Sequence, residues 1–438
     1  MVVSRGKAPT AQETFMQMAQ AAGLRGRLLV TVGLLILVRL GTRIPVPGID
    51  RVAFSERLQN SNFGGVIGFL DIFSGGGLSA LGVFALGILP FINASIIMQL
   101  LTAALPSLED LQKNEGEAGR RKISQITRYV ALAWSLLQGT VIALWVNAVA
   151  YTPGPAFIVQ TVLAIVAGSM FVMWVSELIT ERGLGNGASL LIFINIVAVL
   201  PRSLGQTIEL AQSGGREVVG GIITLMLVFL ATIVGIVFVQ EGTRRIPIVS
   251  AKRQVGRRQY AEKSSYLPLR LNQGGVMPII FATAVLFLPL QLANSTNNET
   301  LIRIVGYLSP NSSAPWAYYL FYLSTILFFS YFYASLVVNP VDMSQNLKRM
   351  GASIPGIRPG RATSEYISRI INRLTFLGAI FLGMVAIIPT IVEGTTRVTT
   401  FQGLGATSLL ILVGVAIDTA KQVQTYVISQ RYEGMVKQ

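Results

Sequence analysis

Apolar residues gather into ten long runs along the 438-residue chain, separated by short polar segments. The runs cover Leu28 to Leu40, Leu78 to Ala104, Tyr129 to Ala150, Ala156 to Leu178, Ala188 to Leu200, Val218 to Val239, Val276 to Leu292, Ala317 to Val338, Leu374 to Val392 and Leu404 to Ala420. A hydrocarbon core of about 30 Å needs about 20 mostly apolar residues per helix. The pattern therefore predicts an all-α polytopic membrane protein with ten transmembrane helices. Runs one and five are short and are expected to extend into their polar flanks. The polar stretches reach only about thirty residues, too few for a soluble domain.

One segment departs from this pattern. Gly64, Gly65, Ile67, Phe69, Leu70, Ile72 and Phe73 belong to an apolar stretch too short to cross, and Ser74-Gly75-Gly76-Gly77 follows it. Glycine runs end helices because they reach left-handed angles freely. The expectation is a half-length helix on a flexible joint, and such a re-entrant piece must lie within protein or a water-filled cavity.

A second irregularity is a repeat. Gly87-Ile88-Leu89-Pro90-Phe91-Ile92 in run two matches Gly275-Val276-Met277-Pro278-Ile279-Ile280 in run seven. Five spans separate them, so the two helices run in opposite directions, as an inverted-topology repeat requires. The match covers six positions of permissive residue types, so chance is a rival account of it. Proline inside a membrane helix frees a carbonyl and bends the axis, so Pro90 and Pro278 are expected either to bend helices around a central opening or only to adjust packing.

Charge sets the orientation. With the amino terminus cytoplasmic, 27 Lys and Arg and 13 Asp and Glu fall on the cytoplasmic side, against 8 and 7 on the other. Basic residues mark cytoplasmic loops, so both termini are expected inside, and the net charge of +15 sits almost wholly on one face. Arg25 and Arg27 precede the first run like a signal peptide. A small-residue cleavage site is missing, and Ile44-Pro45-Val46-Pro47-Gly48 follows, so the run is expected to be retained.

Hydrophobic residues make up 52% of the chain and charged residues 13%, where soluble domains carry about 25% charged residues. The chain holds no Cys and no His, which excludes disulfides, thiolate chemistry and imidazole ligands or bases. The span centres carry neutral polar residues, Asn93, Ser95, Gln99, Gln138 and Asn195, while Asp71, Glu177 and Asp418 lie toward span ends. That distribution disfavours a charge relay; interhelical hydrogen bonding remains an open account of the amides. Gly185 to Gly187 lacks the lysine and spacing of a phosphate-binding loop. No cofactor, metal or catalytic activity is expected.

Two cytoplasmic loops, 241–273 and 339–373, are long and basic. The first carries Arg244, Arg245, Lys252, Arg253, Arg257, Arg258, Lys263 and Arg270, the second Lys348, Arg349, Arg358, Arg361, Arg369 and Arg373. Topological bias and anionic lipid account for part of this charge. Prolines at 247, 268, 355 and 359 stiffen both loops, and a stiffened basic surface suits an acidic protein or ribosomal RNA phosphates.

Several stretches closely resemble the SecY family, the central subunit of the bacterial protein-conducting channel. They include LGILPFINASIIMQLL from Leu86, KISQITRY from Lys122, ERGLGNGASLLIF from Glu181, AKRQVGRRQYAEKSSYLPLRLN from Ala251, NPVDMSQNLKRMGASIPGIRPGRAT from Asn339 and GATSLLILVGVAIDTAKQVQ from Gly405. The resemblance implies two inverted five-helix halves around an hourglass pore, residues 28–203 and 204–423, between tails 1–27 and 424–438. It implies a pore ring at Ile88, Ile92, Ile192, Ile196, Ile280 and Ile411. A narrow apolar ring of this kind excludes water and ions by dewetting. It further implies a plug at 64–73 hinged at Gly75, Gly76 and Gly77, a lateral gate bearing Asn93, Gln138 and Asn272, and docking through the basic loops, with Arg358 the most sensitive position. The implied partners are SecE and SecG in the membrane, the SecA motor ATPase, the ribosome, signal sequences and unfolded preproteins, and the lipid bilayer of the inner membrane. A secondary transporter of a small solute is the competing reading, since it too has inverted repeats and broken helices; a poreless membrane scaffold is a further one.

Overall fold

The computed structural model describes residues 22–50, 53–54, 71–213, 215–250, 254–255, 258–259, 264–283, 285–286, 315–396 and 406–436. The chain forms two compact units. One holds Met1–Gln212, Thr400–Leu404 and Ile411–Gln438; the other holds Ser213–Thr399 and Gly405–Leu410.

In the first unit, α1 spans Ala22–Gly41, α2 Leu89–Ala104, α3 Pro106–Asn114, α4 Gly116–Val146, α5 Pro155–Arg182 and α6 Gly187–Ser213. Proline opens α2, α3 and α5. At the first turn its missing N–H has no helical acceptor to lose and its fixed φ is already helical. Small residues let α2, α4 and α5 approach closely: Ala94 and Ala131 are fully buried and pack with Met173. A second cluster joins Val46, Ile49, Leu81, Leu86, Val146, Phe157 and Ile165.

The second unit contains α7 (Arg216–Glu241), β1 (Thr243–Ser250), β2 (Gln254–Val255), β3 (Arg258–Gln259), β4 (Ser264–Arg270), α8 (Pro315–Val337), α9 (Pro340–Arg349), β5 (Ala352–Ser353) and α10 (Arg361–Thr396). The last helix, α11, covers Ala406–Val436. Among the described residues, six helices are long and apolar enough to cross a membrane, within Gly116–Val149, Pro155–Arg182, Gly187–Ser213, Val218–Glu241, Trp316–Arg349 and Arg361–Pro389. Runs one and five do extend past their apolar limits, as α1 and α6.

Run two is not one helix. Residues 75–88 form successive turns and α2 starts only at Leu89. Pro90 therefore begins a helix and does not bend one. Pro278 behaves alike: helix starts at 277, just before it. Gly87 and Gly275 each precede these starts with left-handed backbone, φ 53° and 58°. The first i to i−4 bonds fall at matching places, Ile92 to Ile88 and Ile280 to Val276. The repeated hexapeptide is thus a repeated helix start, one copy in each unit.

The described parts of the basic loops form strands and helices. β1 pairs antiparallel with β4 from Thr243–Arg270 to Val249–Ser264, and with β5 at Val249–Ser353 and Ser250–Ala352. Strand order is β4-β1-β5, so loop 241–273 and loop 339–373 share one sheet. Ile246, Ile248 and Leu269 from the strands bury against Leu347 of α9, Ile354, and Ile367, Ile371 and Leu374 of α10.

Candidate functional site

Within the first unit, the segment Asp71 to Ile92 descends from a helical turn through the glycines into α2. Ile72 and Phe73 are buried, 4% and 2% exposed. The Asp71 carboxylate accepts from the Ser79 hydroxyl at 2.6 Å and from the Ser79 N–H at 2.7 Å. Gly76 N–H donates to the Asp71 carbonyl at 2.8 Å, and Leu78 N–H to the Ser74 hydroxyl at 3.0 Å. Two other helices reach the same turn. The Asn195 side-chain amide of α6 donates to the Phe73 carbonyl at 2.7 Å, and the Arg39 guanidinium of α1 donates to the Gly75 carbonyl. Gly75 to Gly77, expected as a joint, lie in a hydrogen-bonded turn. Gly75 and Gly76 are needed for their left-handed angles, φ 67° and 87°, and a side chain at Gly77 would crowd the Phe84 carbonyl at 3.1 Å.

Below the turn, strand-like contacts fix the chain to the end of α1. Val83 N–H donates to the Ile44 carbonyl and Val46 N–H to the Leu81 carbonyl. Gly168 of α5 lies so close that a Cβ would stand 2.1 Å from the Val83 carbonyl oxygen. Beside it, the Ser169 hydroxyl donates to the Gly87 carbonyl at 3.1 Å.

Ile88 and Ile92 follow, one helical turn apart at the head of α2, and are 0% and 7% exposed. Ile192 and Ile196 sit one turn apart on α6, flanking Asn195, and are 3% and 1% exposed; Ile411 of α11 is 1% exposed. Ile280, in the second unit, is half-buried. Asn93 is half-buried on α2 and Gln138 buried on α4, where its Oε1 has no hydrogen-bond partner. Asn272 is buried and its amide donates to the Gly275 carbonyl at 2.7 Å, fastening the turn before the second helix start.

Gly64, Gly65, Ile67, Phe69 and Leu70 lie outside the described residues, as do Lys252, Arg253 and Arg257. Of the remaining basic positions, Arg244 and Arg245 are exposed on β1 and Arg258 belongs to β3. The Arg245 guanidinium stacks 4.9 Å from the Tyr266 ring, a diagonal neighbour on β4. Arg358 is exposed on a tight turn whose backbone is fixed from beneath. Thr363 donates to the Arg358 carbonyl at 2.9 Å and Ser344 to the Gly360 carbonyl at 2.7 Å. Arg361, also exposed, pairs with Glu365 at 2.9 Å.

Arg39, Asp71, Ser74 and Ser79 did not stand out in the sequence as site residues. Arg39 reads as a flank of run one and Asp71 as a span end. Only the alternation of small, polar and glycine residues from Ser74 to Gly82 marks the segment as a turn.

The sequence profile of the SecY family matches residues 82–420. The chain belongs to the SecY family. The protein translocase subunit SecY of Synechococcus elongatus is 78% identical over 438 residues, covering 100% of both chains. A solved protein-conducting channel shares the fold with a TM-score of 0.65 at 18% identity, covering 96% of this chain and 94% of that one. Sec61 in a canine ribosome–channel complex from the endoplasmic reticulum gives 0.61 at 17% identity, with the same coverage.

Proposed function

We infer that the chain is the protein-conducting channel subunit of a protein translocase, passing unfolded polypeptides across a membrane and releasing apolar segments sideways into it. Its full-length identity of 78% to a SecY translocase subunit carries this conclusion. The competing solute-transporter reading has no support among the relatives.

The finer assignments are our own reading. Ten spans in two inverted halves are supported by the twin helix starts at Gly87 and Gly275. A pore ring of Ile88, Ile92, Ile192, Ile196, Ile280 and Ile411 is supported by their apolar character and by the burial of five of them. Apolar side chains at a constriction repel water and ions and grip no particular substrate sequence. The segment 64–73 is the plug, fastened below Phe73. Asn93, Gln138 and Asn272 belong to the lateral gate, where the hydrogen bonds of side-chain amides in membranes are worth about 0.6 kcal/mol and yield readily.

Energy comes from outside the chain, from the SecA motor or a ribosome docked on the basic sheet. Arg244, Arg245, Arg358 and Arg361 project from a surface held by its own core, a rigid target for acidic side chains or RNA phosphates. SecE and SecG complete the membrane complex, which sits in the cytoplasmic membrane with both termini inside. The test is reconstitution of the complex in vesicles with its motor and ATP. A secretory precursor becomes protease-protected if the reading holds; its continued full digestion, with motor and vesicles intact, would refute it.

A further inference from the structure

The N–H groups of Ala80, Leu81 and Gly82 join the Asp71 turn to the chain that follows, donating to the Gly76, Leu78 and Gly77 carbonyls, and two further kinds of bond hold it. Those from Asp71 to Ser79 and Gly76, and from Ser74 to Leu78, lie within residues 71–79 and travel with the turn if it moves. Those from Arg39 and Asn195 come from α1 and α6 and must break. They grip the carbonyl of Phe73, the last residue of the plug segment, and that of Gly75, two residues beyond it.

The two gripping groups meet at one point. A Cβ built on Gly75 would lie 2.5 Å from the Arg39 guanidinium and 2.5 Å from the Asn195 Oδ1. Glycine at 75 is thus required twice, for its left-handed angle and for the space the two side chains occupy. Asn195 Oδ1 itself has no hydrogen-bond partner. Arg39 is partly buried, and among the described residues Arg43 repels its guanidinium while Asp71 attracts it.

We propose that Arg39 and Asn195 form the latch of the resting plug, and that their release, not flexing of the glycines, sets how readily the plug leaves. The turn 71–79 then moves as one stapled piece. This rests on the assignment of 64–73 as the plug, and it adds two positioning residues outside the plug and the pore ring.

The chain has no cysteine, so Ile72→Cys introduces its one thiol, buried at rest beside the latch. The complex is reconstituted in vesicles and treated with a membrane-impermeant maleimide, and resting ion conductance is recorded in parallel. Losing a hydrogen bond to a charged donor shifts a two-state equilibrium by about tenfold or more. Arg39→Gln should raise labelling of Ile72→Cys by that factor and raise conductance with it. Asn195→Leu and Gly75→Ala should act in the same direction, and Arg39→Lys should restore much of the protection. Ile165→Cys, in the core away from the turn, should stay unlabelled throughout. If deleting 64–73 makes vesicles leaky while the latch variants behave as the unmodified complex, the latch is wrong and the plug stands. If that deletion leaves conductance unchanged, the plug assignment fails and the latch with it. Equal labelling of Ile165→Cys would show general loosening and overturn the latch. Should Arg39→Gln not reach the membrane, Asn195→Leu, which removes only a neutral amide, decides between these outcomes.

Discussion

Ser79 holds both oxygens of the Asp71 carboxylate, its hydroxyl at 2.6 Å from Oδ2 and its N–H at 2.7 Å from Oδ1. Nine residues, 71–79, are closed into a loop by one acid and one serine, with three glycines inside. The entropy that glycines add to an open chain is therefore already lost in this turn.

Ser79→Ala keeps the backbone bond and deletes the hydroxyl. A hydrogen bond to a charged acceptor contributes about 1.5–3 kcal/mol, so amides of residues 71–79 should exchange with deuterium about tenfold faster. Asp71→Ala should have a larger effect. Unchanged exchange in both variants would mean that the clasp does not hold the turn.

Gly168 leaves no room for a side chain against the Val83 carbonyl, where a Cβ would stand at 2.1 Å. Backbone cannot yield as a side-chain tip does, so Gly168→Val should separate α5 from the turn and destabilise the first unit by more than about 2 kcal/mol. Loss of assembled complex in membranes, or a melting point lowered by several degrees in detergent, is expected. Wild-type stability would show that the contact is not tight.

Arg358 tests the docking surface without disturbing it. Its side chain is exposed, and among the described residues the fold uses its backbone carbonyl, which accepts from Thr363. Charge reversal, Arg358→Glu, should leave insertion and stability within about 0.5 kcal/mol of the parent and strongly reduce precursor transport. In contrast, Ile367→Ala removes a fully buried side chain and should cost about 2–5 kcal/mol, with transport falling because the sheet loses its floor. Normal transport in Arg358→Glu vesicles would remove that arginine from the account.

The membrane class and most helices were legible in the sequence because apolar runs of membrane length admit few alternatives. Three features were not. Pro90 and Pro278 read as bends or as packing adjustments because they sit within apolar runs, although proline is equally at home in the first turn of a helix. The sheet was hidden because Pro247 and Pro268 argue against strands. Its trace is the period-two pattern of Ile246 and Ile248, and β5 pairs only beyond Pro247, at Val249 and Ser250. The grip of Arg39 and Asn195 on the turn joins residues 36 and 122 positions apart, and no local pattern encodes such a pairing.

The pore ring is tested by leak. Ile92→Ser and Ile280→Ser each replace an apolar wall with one that binds water, so resting conductance in bilayers should rise severalfold for both. An unchanged seal in both variants would count against a dry constriction at these positions.

The central claim, that a polypeptide passes a collar built from Ile88, Ile92, Ile192, Ile196, Ile280 and Ile411, is tested most directly by trapping one in transit. A photoreactive residue is placed at Ile92, Ile192, Ile280 or Ile411 in turn, and a secretory chain is stalled midway through the reconstituted complex. The account predicts crosslinks from all four positions to the same short stretch of the stalled chain. Crosslinks only to lipid or to neighbouring helices, while the chain is demonstrably halfway across, would contradict it.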